Sequence, residues 1–305
     1  PKSVGYMTIY FPYYYKDFKC IADKCRHSCC VGWEIDVDDS TLMKYRAIEG
    51  AFGDEIRSHI SDDGVICLSE GDRCPFLDEA GLCRIISKLG EGYISEICNQ
   101  RPRFYHSAGG RIEGGIGAVC EEACRIILSS DDYNRFIPYT RDIDIPEDTG
   151  FDSLVHRDFI YSVLSTDGMS YSEKLSIIRE KYCLTDPATE CEEWNKLLSE
   201  LEYLDESRRG LLAIGRKNER EELDCYFERF FAYLVLRHVS PSESYDNLRA
   251  RVGFCILLSE ILENVTSVRE ASLEEISEAV RIISEELEYS EENTSSLIFE
   301  FESKI

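Results

Sequence analysis

The chain has 305 residues, 43% of them hydrophobic, enough to bury a core of ordinary size, so it has no need of disulfide staples despite its 14 cysteines. Its 34 Lys+Arg against 59 Asp+Glu give a net charge of -25, which argues against a nucleic-acid surface and suits either solubility or attraction of a basic partner. The opening PKSVGYMTIYFPYYYKDFKC lacks the basic segment, apolar run and cleavage site of a signal peptide, and no apolar run reaches a membrane span of roughly 18 to 20 residues. A soluble, cytoplasmic protein is expected, with its natural start at or before Met7 and no nucleic-acid or membrane partner.

In chain order, the aromatic residues Tyr10, Phe11, Tyr13, Tyr14, Tyr15 and Phe18 come first. They can wall a sulfonium or ammonium group by cation-π attraction, or form an amphipathic segment packed on the core, and the second reading is favoured. EIDVDD (34–39) reads as a strand end followed by a helix cap. Residues 39–60 look helical, 64–68 like a short strand, and 81–98 like one or two short helices. Residues 103–120 read as a hairpin turning at Gly109-Gly110, followed by a helix at EEACRIILSS. The glycines of GGRIEGGIG serve turns or close backbone approach; no G-x-G-x-x-G follows a strand. From 151 onward, apolar residues recur at three- and four-residue steps over 151–165, 172–182, 190–204, 221–239, 245–265 and 273–290. Asp152, Ser172, Ser242 and Ser272 stand as N-caps, with Pro187 and Pro241 in the breaks.

Sulfur and acid divide unevenly. Ten of the 14 cysteines lie within residues 1–124; residues 1–130 carry 15 Lys+Arg and 20 Asp+Glu, the remainder 19 and 39. The expected fold is mainly α with a small β component: a cysteine-rich metal-binding domain over 1–140, then an acidic all-helical domain over 141–305.

The stretch CIADKCRHSCC carries Cys20, Cys25, Cys29 and Cys30. On a helix Cys25 and Cys29 would share a face with Cβ atoms about 5 to 6 Å apart, too wide for a disulfide but suited to two thiolates on one metal or cluster. Cys120 and Cys124 repeat that spacing. Thiols with few histidines nearby favour zinc held by four cysteines or an iron-sulfur cluster. Cys183, Cys191, Cys225 and Cys255 read as small packed hydrophobes, as do Cys67 and Cys124. Gly32 and Trp33, beside the double cysteine, would allow a tight turn and shield the metal.

The succession YYYKDFKCIADKCRHSCCVGWEIDVD, then CPFLDEAGLCRIISKLGEGYISEICNQRPR, then a glycine-rich hairpin closing on AVCEEACRIIL, resembles the flagellin lysine-N-methylase (FliB) family over roughly residues 6–130. It resembles more distantly the wider CxxCxxCC zinc- or iron-chelating family. The resemblance implies transfer of methyl groups from S-adenosylmethionine to lysines of a protein substrate, flagellin in the namesake. It also implies a cysteine-ligated iron-sulfur cluster, [4Fe-4S] before other types, with zinc as the alternative. It places the metal cysteines at Cys20, Cys25, Cys29, Cys30, Cys74, Cys83, Cys98 and Cys120. Arg101 stands where the family has tyrosine before proline-arginine, and Glu121 where it has proline after cysteine. Arg101 and Arg103 are candidates to clamp the methionine carboxylate of S-adenosylmethionine; no catalytic base is readable. The alternative is a non-catalytic zinc- or iron-binding adaptor whose acidic helices bind a basic protein.

Overall fold

The computed structural model describes residues 7–32, 35–141, 146–215, 220–267 and 272–305; Trp33 lies outside them. In chain order the elements are β1 (Met7–Pro12), α1 (Asp39–Ala47), α2 (Ala51–Ser58), α3 (Arg84–Leu89), α4 (Glu96–Gln100), β2 (Arg103–Ala108), β3 (Arg111–Ile116), α5 (Glu121–Leu128) and β4 (Phe136–Arg141). Then follow α6 (Leu154–Leu164), α7 (Tyr171–Tyr182), α8 (Cys191–Glu200), α9 (Asp224–Leu234), α10 (Tyr245–Thr266), α11 (Leu273–Ile283) and α12 (Glu291–Lys304). The protein is mainly helical, with one small mixed sheet.

Two compact units emerge: Pro1–Phe18 with Phe104–Ile305, and Lys19–Arg103. These bounds differ from a division at residue 140, because β1 is drawn to partners far along the chain. The strand order is β2-β3-β1-β4, β1 running parallel to β3 (Ile9 opposite Ile112) and antiparallel to β4 (Met7 opposite Arg141, Pro12 opposite Phe136). Pro138 lacks an N–H and is tolerated in β4 because that strand is an edge. The β2-β3 hairpin turns at Gly109 and Gly110, both at positive φ. Gly115 serves close approach: a Cβ there would lie 2.3 Å from the Phe104 ring. The favoured reading of the aromatic segment is the one the fold adopts. Phe11, Tyr14 and Tyr15 are core residues, and the Tyr13 ring already carries Lys16 and Arg135 at 3.5 and 3.9 Å.

Among the helices, α10 is buried on all sides over its middle and forms the axis of the large core. Ser272 caps α11 through a capping box with Glu275, but α7 is capped in the same way by Ser170 and Glu173, and α10 by Ser244, each two residues from its expected cap at Ser172 or Ser242. Ser153, not Asp152, holds the N-cap position of α6. The expected helix over 39–60 is two, because Gly50 at positive φ separates α1 from α2. The expected strand at 64–68 is reduced to isolated bridges, Asp36 to Val65 and Ile60 to Ile66.

Two buried carboxylates organise the larger unit. Glu113, on β3, is fully buried against Arg157 (2.5 Å), Arg111 (2.8 Å to Nε) and His106 (3.4 Å). Burial alone would raise its pKa, but the neighbouring His106 ring and the Arg157 charge prevail and hold it at about 2. Glu288 receives Tyr233 Oη at 2.5 Å, Arg237 Nε at 2.6 Å and Ser284 Oγ at 2.6 Å, with His238 Nε2 at 3.3 Å. Both sides of that second cluster come from π-helical turns, Val235–Val239 continuing α9 and Ser284–Glu288 continuing α11. Each wide turn displaces the helix register and carries polar side chains inward that a regular α-helix would place differently. Tyr233 Oη also accepts the Ala118 N–H at 2.9 Å, tying the end of the hairpin to the helices.

Candidate thiol-rich metal site

The smaller unit, Lys19–Arg103, has its own core around Tyr45, Ile56, Ile66, Phe76 and Ile85. Cys74 is buried in it, and Cys30, Cys83 and Cys98 pack against it. These four thiols come from four separate segments. The Cys74 N–H donates to the Cys30 carbonyl at 2.8 Å, and Val31 bridges Arg73, which holds two of the segments side by side. Cys83 pairs across a bridge with Leu77 and stands at the N-cap of α3, while Cys98 is the third residue of α4. The N-terminus of α4 is fixed in turn by Asp38. One of its carboxylate oxygens accepts the Thr41 N–H and caps α1, and the other accepts the Glu96 N–H, both at 2.9 Å. Asp38 is therefore the cap expected from EIDVDD and a clamp on the helix that carries Cys98.

The thiols act on one another. Burial raises the Cys74 thiol to about 11, with Cys83 and Cys98 opposing its ionisation further. Cys98 is raised by burial and by Cys83 and Cys29. Cys29 and Cys30 titrate against one another: the adjacent Cys29 raises Cys30, with burial and the Cys74 and Cys98 thiols adding, while Cys30 brings Cys29 down to about 6. The Tyr45 hydroxyl is raised by burial and then by Cys98, Cys83 and Cys74. Repulsion of this kind among neighbouring thiolates is what a bound cation would relieve. Soft sulfur donors beside an apolar core suit zinc or an iron-sulfur cluster. Among the described residues, no three His, Cys, Asp or Glu side chains stand at the spacing of a single bound ion.

None of the other expected ligands is among the cysteines packed on this core. Cys25 and Cys29 share no helix: a 3-10 turn ends at Lys24, Cys25 is extended, and its thiol donates to the His27 carbonyl at 3.2 Å. Cys20 is exposed, its sulfur accepting the Ala22 N–H at 3.4 Å. Cys120 belongs to the larger unit, as the N-cap of α5. Its i+4 neighbour Cys124 is buried, donating to the Ala118 carbonyl at 2.6 Å, so that pair has one packed member as expected. Cys255 is buried too, but Cys67 and Cys183 are exposed, contrary to expectation. Cys67 sits just past a reduced strand that buries only alternate residues, and Cys183 ends α7 in the left-handed conformation. Arg101 lies close enough to bring its charge to bear on Cys29 and Cys98, and Arg103 donates to the Asn99 carbonyl at 3.2 Å. Gly32 has the positive φ of a tight turn. Tyr45, Ser95 and the hold of Asp38 on α4 were missed from the sequence; the local sign is a serine three residues before Cys98.

The chain is 30% identical over 139 residues to the flagellar biosynthetic protein FliU of Salmonella muenchen, a match covering 41% of this chain and 80% of that protein. The chain belongs to the FliU/lysine-N-methylase family. Lysine-N-methylases of Salmonella choleraesuis (strain SC-B67) and Salmonella typhimurium (strain LT2) are likewise 30% identical over 139 residues, but there the match spans about a third of their length, 34% of each. No family model matches this FliU/lysine-N-methylase family chain, and no solved structure matches it. No described helix of this family member is long and apolar enough to cross a membrane.

Proposed function

We infer that the chain is a protein lysine N-methyltransferase of the flagellin methylase type, drawing its methyl group from S-adenosylmethionine. The observation that carries this is the 30% identity to two lysine-N-methylases. In this reading Cys30, Cys74, Cys83 and Cys98, with Cys29 beside them, hold an iron-sulfur cluster, [4Fe-4S] before zinc. Cys20, Cys25 and Cys120 belong to the wider set that the family resemblance supplies. S-adenosylmethionine would supply an electrophilic methyl on a sulfonium: a bond forms from the lysine Nζ to carbon as the carbon-sulfur bond breaks, and the ammonium product releases a proton. The protein's part is to present the amine neutral and to exclude water. Arg101 and Arg103 are the proposed partners of the methionine carboxylate. The substrate is a protein with exposed lysines, flagellin first, and the net charge of -25 favours a basic one.

A second reading is favoured by the match to only 34% of each methylase. On it the chain is a metal-binding adaptor whose acidic helices hold a basic protein without catalysis. Anaerobically purified full chain incubated with methyl-labelled S-adenosylmethionine and flagellin separates the two. Label on flagellin lysines, lost in Cys98→Ser, supports the methyltransferase. Failure to bind S-adenosylmethionine or to label any lysine protein, with metal present, leaves the adaptor.

A further inference from the structure

Ser95 occupies the N-cap position of α4, where a serine side chain ordinarily accepts a backbone N–H two or three residues on. Here it makes no such bond. The capping work is done by Asp38, whose carboxylate takes the Glu96 N–H at 2.9 Å. The Ser95 hydroxyl is thereby released from its usual duty, yet it is not turned to water: the residue is 1% exposed, and its oxygen meets no partner in good hydrogen-bond geometry. Buried hydroxyls without partners are rare and call for a reason. The Cys98 thiol stands three residues on, on the same side of the first turn of α4, and packs against the small unit's core.

A thiol sulfur is a weak acceptor, whereas a metal-bound thiolate carries the charge that an O–H donor can use. We propose that Ser95 is a positioning residue for the metal centre, donating its hydroxyl proton to Cys98 Sγ when that sulfur is a metal-bound thiolate. The bond would fix the direction of the Cys98 side chain and spread the thiolate charge, as outer-shell donors do in other metal sites. Asp38 holds the helix end and Ser95 holds the sulfur. This inference rests on the reading that Cys98 is a metal ligand, so its test must separate the two.

The probe is cobalt(II), added without oxygen to the full chain stripped of metal, because thiolate-to-cobalt charge-transfer absorption reports both occupancy and ligand type. Wild type, Ser95→Ala, Ser95→Thr and Cys98→Ser are titrated in competition with a chelator, and folding of each is checked by circular dichroism. Removal of an outer-shell donor costs on the order of 10- to 100-fold in metal affinity. Ser95→Ala is expected to bind cobalt that much more weakly with the same number of thiolates, and Ser95→Thr, which keeps the hydroxyl, to recover most of the loss. Wild-type affinity in Ser95→Ala overturns the proposal, as does equal loss in Ala and Thr variants, which would mark packing. If Cys98→Ser leaves the thiolate absorption unchanged, or wild type shows none, the metal-ligand reading of Cys98 fails and the proposal with it.

Discussion

Replacing Glu113 by Gln keeps the shape of the side chain and removes its charge, leaving Arg157, buried at 2% exposure, with only the solvent-exposed Asp158 carboxylate at 3.6 Å. The structure gives the size of the effect. A carboxyl whose pKa falls from 4.5 to about 2 on folding stabilises the folded state by about 3 kcal/mol at neutral pH, at roughly 1.4 kcal/mol per decade. Breaking a buried ion pair by deleting one partner independently suggests roughly 3 to 5 kcal/mol. The pH dependence follows from the depressed pKa: the stabilisation is fully present above 4.5 and is lost as pH falls through 4.5 toward 2. Urea unfolding of wild type and Glu113→Gln at pH 7, 4 and 3 measures it. The gap in unfolding free energy should be about 3 kcal/mol at pH 7 and shrink in the two acid series. A gap below about 1 kcal/mol at pH 7, or one that does not narrow in acid, refutes the assignment of Glu113 as the charged anchor of β3.

Burial depresses the pKa of His106 and His238 below 6.5, so below 6.5 the unfolded chain takes up protons that the folded one refuses; stability should fall from pH 6.5 downward, and replacing His238 by Gln should flatten part of that slope in thermal melts. Tyr233→Phe leaves the Ala118 N–H and the Glu288 carboxylate each one partner short, and should cost about 1 to 3 kcal/mol in urea unfolding. Gly115→Ala drives a methyl into the Phe104 ring; a loss of about 1 to 3 kcal/mol is expected, partly restored by Phe104→Leu in the double variant, and a neutral outcome would place the ring elsewhere.

The helical half was legible because each helix there needs only its own amphipathic pattern, and the pattern from 245 to 265 returns as α10 almost to the residue. The hairpin was legible because Gly109-Gly110 dictates its turn. β1 and β4 were not, since their pairing joins residues more than a hundred positions apart and leaves no local period in MTIYFP or FIPYTR. The π-turns escaped for a different reason: one inserted residue shifts register without altering the run of apolar side chains. α12 was also unforeseen. At the thiols, cysteine count and neighbours pointed to a candidate site, but which cysteines share one core depends on bridges such as Val31 to Arg73 that no spacing rule contains. The helical rule used for Cys25 and Cys29 failed because the segment Cys20–Cys30 holds only a 3-10 turn.

The sheet also sets a timetable for biosynthesis. β1 is complete at Pro12, but its antiparallel partner ends at Arg141, with the whole of Lys19–Arg103 translated in between. At about 5 to 20 residues per second, that strand waits roughly 6 to 25 seconds on the ribosome before both neighbours exist. The cysteine-bearing unit is complete once Arg103 has been added, so sulfur chemistry at Cys30, Cys74, Cys83 and Cys98 has its first opportunity late in that interval, while the N-terminal strand still lacks β4.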